Sequence, residues 1–121
     1  MAEYLIAFQG EWVPDLTHEE LVERSRVLRP LIAQMRAEGV LIFTGGLDPD
    51  VPVFSVDASS GEPVFTDGPY VETKEHLGGF AVVDVPDEEA ARHWAGKIAV
   101  ACGWPQEVHR FQVPMVLPEP S

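Results

Sequence analysis

The sequence predicts an α+β domain in which one antiparallel sheet carries two helices on a single face. Three observations predict it. Two helical stretches with recognisable start signals alternate with apolar runs of strand length, Gly/Pro/Asp clusters separate them, and the strand runs are apolar on both faces. With 121 residues and 45% hydrophobic side chains, the chain is long enough to bury one core of its own.

The first strand is "YLIAFQ" at 4–9, with Tyr4, Ile6 and Phe8 facing one way and Leu5 and Ala7 the other. "GEWVPD" is a loop. Thr17 then opens a helix, and Glu20 three residues on completes a capping-box pattern. Leu21, Leu28, Ile32 and Met35 recur at helical spacing, and Gly39 closes the segment. Pro30 lies inside this pattern and is expected to kink or split the helix, because it lacks the N–H and crowds the preceding turn.

"VLIFTG" at 40–45 is the second strand, and "GGLDPDVP" the loop after it. "VFSVD" and "EPVFTD" flank "ASSG" and read as a β-hairpin. "GFAVVDV" at 79–85 is a further strand: Phe80 and Val82 share one face with Asp84, while Ala81, Val83 and Val85 share the other. Pro86 and Asp87 start a second helix that runs to about Ala101, with Ala91, Trp94, Ala95, Ile98 and Cys102 on one side. "QEVHRFQV" at 106–113 is the last strand, and a Pro-rich tail follows.

The order is β-α-β-(hairpin)-β-α-β, the split pattern of a ferredoxin-like sheet with one inserted hairpin. Such a sheet has helices on one face only, so the second apolar face needs cover. A second copy packed sheet to sheet is the simplest cover. The expectation is a symmetric homodimer, with a pocket near the sheet–sheet space or its rim.

Composition narrows the function. The formal charge of −12, from 20 acidic and 8 basic side chains, repels phosphate backbones and anionic lipid heads, so neither nucleic acid nor membrane is expected as partner. The apolar runs fall well short of the ~20 residues a bilayer crossing needs. The N-terminus lacks a basic lead and a cleavage site, and the one cysteine, Cys102, permits no intrachain disulfide. Both points suit a reducing cytoplasm. The four histidines, His18, His76, His93 and His109, show no metal spacing, and "TGGLD" and "LGGF" lack the spacing of a phosphate loop. No cofactor or metal is expected.

The densest chemistry lies in "VFTDGPYVETKEHLGGF" at 64–80. This stretch resembles the "V-x-T-D-G-P-F-x-E-T-K-E-x-L-G-G" signature of the YCII-related proteins, specifically their DGPF branch. "AEGVLIFTGGL" before it and "VVDVPDEEAARHWA" after it agree in order and length. The resemblance spans residues 3 to about 114, giving a domain at 1–114 and a tail at 115–121. It implies a ferredoxin-like fold that dimerises into an α+β barrel, with little implied about activity. Some members are fused to or neighbour extracytoplasmic-function sigma factors, which implies a link to such a factor by family context alone. Other branches carry a His on the first helix and an Asp near its end as a suggested catalytic pair. Those positions fall here on about Leu28 and Ala37, neither of which can move a proton.

Each candidate residue has a structural reading beside the chemical one. Asp67 before Gly68 and Pro69 is a turn former. It is also the candidate general base, if the bend aims it and the Tyr70 hydroxyl into a pocket. Glu72 and Glu75 share a face if "ETKEHL" is helical, whereas Glu72, Lys74 and His76 share one if it is extended. They read either as solvated charges or as groups that hold a ligand, with Lys74 as the anchor for an anion. His109 shares a strand face with Phe111 and is expected partly buried, as a packed histidine or as the second catalytic candidate. Arg110 lies on the alternate face and is a further ligand-binding candidate. Three functions follow: a dimeric protein that binds a small organic ligand, a cofactor-independent enzyme using the acid/base groups of 66–76, or a regulatory protein-interaction module linked to transcription.

Overall fold

A computed structural model describes residues 2–68 and 76–112. β1 (Ala2–Gln9) passes through a short 3-10 turn (Gly10–Trp12) to α1 (His18–Ala37) and β2 (Leu41–Gly46). A hairpin follows, β3 (Phe54–Asp57) and β4 (Val64–Asp67), then β5 (Leu77–Val85), α2 (Glu88–Cys102) and β6 (Glu107–Arg110). The main sheet has the order β2-β5-β1-β6 with every neighbour antiparallel, which is the arrangement of a ferredoxin-like α+β fold. The hairpin forms a separate two-stranded sheet.

Local chemistry explains both helices. At α1 the Thr17 side chain accepts from Glu20 N while the Glu20 carboxylate accepts from Thr17 N, so two otherwise unpaired donors are satisfied. Pro30 does not split the helix. Its missing N–H removes one backbone bond, and the turns on either side remain helical. At α2 the Asp87 carboxylate accepts from Ala90 N, and Gly103, with φ of 92°, ends the helix in the left-handed conformation.

Alternation along the central strands divides the sheet into two faces. Tyr4 and Ile6 of β1, with Ala81, Val83 and Val85 of β5, are buried against Met35 of α1 and Ala91, Trp94 and Ile98 of α2. Val83, Val85 and Ile6 are almost wholly enclosed, and each contributes about 1.5–3 kcal/mol by leaving water. Asp84, Val82 and Phe80 face the other way. Strand pairing there aligns Phe43, Val82, Leu5 and His109 in one row across four strands, and Gly45, Phe80, Ala7 and Glu107 in the next. Phe43 remains 57% exposed on that face, its ring 5.9 Å from that of Phe80.

The two helices are unequally buried. Six residues of α2 are buried, whereas Met35 alone is buried in α1, and Leu21 near its start is exposed. Periodicity marks Leu21 as apolar-face, but the first turns of α1 have little beneath them. The hairpin is similarly bare: Phe54 and Phe65, rings 6.2 Å apart, are 68% and 67% exposed.

Candidate functional site

Small residues on the helix-facing side of one sheet end open a pocket of about 300 Å³ between sheet and helices. Pairing places Gly46 opposite Gly79 and Thr44 opposite Ala81, so four adjacent positions carry no bulky side chain. Leu28 and Ile32, one turn apart on α1, form a wall, and Ile98 and Cys102, one turn apart on α2, form another. Phe8 and Trp104 complete it, with rings edge to face and centroids 5.5 Å apart. The volume sits at the low end of the roughly 300–1,000 Å³ typical of small-molecule sites.

The lining is apolar apart from a short polar edge. Thr44 Oγ1 donates to Phe80 O at 3.0 Å. Gln106 Nε2 donates to Cys102 Sγ at 3.2 Å and lies 3.5 Å from Trp104 O. Trp104 Nε1 is buried with no hydrogen-bond acceptor among the described residues. Among the described residues, no Asp, Glu, Lys, Arg or His lines the pocket. The Cys102 thiol is buried beside the terminus of α2, where Arg24 Nη1 donates to Cys102 O at 3.2 Å.

The candidate residues of the signature region lie elsewhere. Asp67 is exposed at the end of β4, paired across the hairpin with Phe54. Gly68, with φ of 92°, donates its N–H to Val53 O at 2.6 Å and makes the bend that the sequence implied. His109 lies on the helix-free face. Its side chain is 57% exposed in the single chain rather than partly buried, and Nε2 is 2.9 Å from Glu107 Oε2. Arg110 is exposed on the opposite face, in register with Tyr4. No hydrogen bond joins Asp67 to His109 or Arg110 among the described residues. Tyr70, Glu72, Lys74 and Glu75 lie outside the described residues, as does the tail at 115–121.

His76, the next described residue, is tied to the turn after β1. Gly10 N donates to His76 O at 2.7 Å, His76 N donates to Glu11 Oε2 at 3.2 Å, and the His76 ring Nδ1 bonds Glu11 Oε1. The bond from the His76 ring, with backbone N–H groups adding to it, holds the Glu11 carboxyl below its ordinary value. Asp57, at the hairpin turn, is lowered likewise by the Ser59 hydroxyl and Ser59 N–H.

Sequence reasoning named no pocket residue as a ligand contact. Cys102, Ile98, Leu28 and Ile32 were legible as helix faces, and Gly45 and Gly46 as the Gly-Gly pair of "TGGLD". Their convergence depends on strand register, which spacing within one strand does not encode.

Comparison with known proteins accords with this architecture. The sequence profile of the YCII-related domain matches residues 17–102, from the cap of α1 to the end of α2. An uncharacterized protein of Rhizobium meliloti (strain 1021) is 34% identical over 82 residues, 65% of this chain. That match spans 66% of the relative, just under two thirds of its length. With the matched segment running through both helices and two of the four strands of the main sheet, β2 and β5, the chain belongs to the YCII-related domain family.

Proposed function

We propose that this YCII-related protein binds a small, uncharged organic molecule in the pocket between α1, α2 and the sheet, and does so as a symmetric dimer. The pocket carries the reading: about 300 Å³, walled by Leu28, Ile32, Ile98, Phe8 and Trp104, and without a charged side chain among the described residues. Apolar walls supply affinity, and the few polar atoms at one edge supply orientation. The chain's "TDGPY" and "ETKEHLGG" stretches support a place in the DGPF branch of the family.

Dimerisation is supported by the helix-free face. Phe43, Val82, Leu5 and Phe80 lie there with no element of the chain's described residues packed over them, and Phe43 is largely exposed. Asp84 Oδ1 is moreover buried without a hydrogen bond among the described residues.

A thermal-shift screen with small neutral aromatics and aliphatics, and their carboxylic acids, tests the reading. A pocket ligand at tenfold over its Kd stabilises by about 1.4 kcal/mol, a rise of several degrees in a domain of this size. Neutral compounds are expected to raise Tm and the acids to leave it unchanged. A screen in which nothing neutral raises Tm overturns the proposal.

A further inference from the structure

A buried indole N–H without an acceptor is unusual in a folded protein, because each such group forfeits the bonds it made to water. Trp104 carries one at the rim of an otherwise apolar pocket. No polar atom of the described residues around it accepts from it. Thr44 Oγ1 donates to Phe80 O, the Trp104 carbonyl receives Gln106 Nε2 and the Cys102 thiol, and Gln106 Nε2 also reaches Cys102 Sγ, so these bonds lie among themselves and none reaches the indole. No described residue supplies the acceptor, and a ligand can bring one.

We infer that the pocket selects neutral molecules with an apolar body and one hydrogen-bond acceptor, a ketone, ester or amide oxygen, placed on Trp104 Nε1. This rests on the pocket being the binding site and adds the ligand's chemical class. A carboxylate is a stronger acceptor but would enter a site with no cation among the described residues that line it, at a desolvation cost one indole bond does not offset. A hydrocarbon fills the same space and leaves the N–H unpaired. Trp104 and Gln106 both lie beyond the span 17–102 that matches the family profile, so the selecting edge sits on the segment between α2 and β6.

The test uses three probes of matched shape: acetophenone, ethylbenzene and benzoate. Calorimetry gives Kd for each with the wild-type protein and Trp104→Phe, and NMR follows the Trp104 indole proton. Ethylbenzene corrects for the cavity the substitution leaves and for the probes' differing affinity for water. The expected result is that Trp104→Phe weakens acetophenone by roughly three- to tenfold more than ethylbenzene, the net worth of one hydrogen bond. The indole proton is expected to move downfield with acetophenone alone, a reading that stands on wild-type protein should Trp104→Phe fail to fold. If both neutral probes bind, but the ratio and the indole proton are unchanged, the inference falls and the pocket stands, the N–H then being spent on the Phe8 ring. Benzoate binding as tightly as acetophenone also overturns it. If neither neutral probe binds, the pocket reading itself fails.

Discussion

The ring of Phe8 lies so close to Gly79 that a Cβ there would stand 2.8 Å from Phe8 Cζ. Gly78 is in the same position, at 2.7 Å from Phe8 Cε2, where the β1–β5 register slips by one residue. The Gly78-Gly79 pair thus gives Phe8 the room to lie across the strand and form a wall of the pocket.

Gly79→Ala is accordingly expected to destabilise the protein by about 1–3 kcal/mol, since the methyl forces the Phe8 ring or the strand to shift. Urea unfolding measures this, and a loss below a few tenths of a kcal/mol would contradict the packing.

Gly46 faces Gly79 in the register, yet a Cβ built on it meets nothing within 4 Å and its φ is unstrained. Gly46→Leu is expected to leave stability within about 0.5 kcal/mol of wild type. It places a side chain in the pocket and should abolish the thermal shift given by acetophenone. Retained binding by a folded Gly46→Leu protein would place the ligand elsewhere.

Glu11 has its folded pKa depressed by the His76 ring. Its pairing therefore contributes stability above the unfolded glutamate value, and loses it as pH falls through the lower folded value. Carboxyl NMR is expected to show a midpoint below the ordinary ~4.3, returning towards it in His76→Ala. A wild-type midpoint at or above the ordinary value contradicts the contact that anchors the start of β5 to the turn after β1.

Phe43→Asp tests the open face. Phe43 is mostly exposed in the single chain, so the fold should survive with little change. In a dimer the aspartate would be buried unpaired, and the dimer Kd should rise about 100-fold or more. Sedimentation across micromolar concentrations checks it; a wild-type protein that is monomeric throughout removes the dimer.

Much of the fold was legible because single elements advertise it. The capping box at Thr17 and Glu20, the Asp87 cap and the stripe Ala91, Trp94, Ala95, Ile98 and Cys102 are patterns within one segment, and all appear as read. The division of β5 between Phe80, Val82 and Asp84 on one side and Ala81, Val83 and Val85 on the other follows from the strand's period of two. The pocket was not legible, because it is made by missing side chains. Gly46, Gly79, Thr44 and Ala81 become neighbours only once β2 and β5 pair in their observed register. The exposed start of α1 was hidden for a related reason, since apolar spacing at Leu21 cannot report where the sheet beneath it ends. Polar residues of 66–76 drew attention by their density, whereas the pocket owes its chemistry to one indole N–H.

Amide and indole NMR mapping with acetophenone most directly tests whether the helix–sheet pocket is the binding site. The account predicts shifts at the Trp104 indole and at the amides of Gly45, Gly46 and Ala81, with Phe54 and Phe65 of the hairpin unmoved. Shifts confined to the hairpin or to the bend at Asp67 and Gly68, with those pocket signals unchanged, would contradict it.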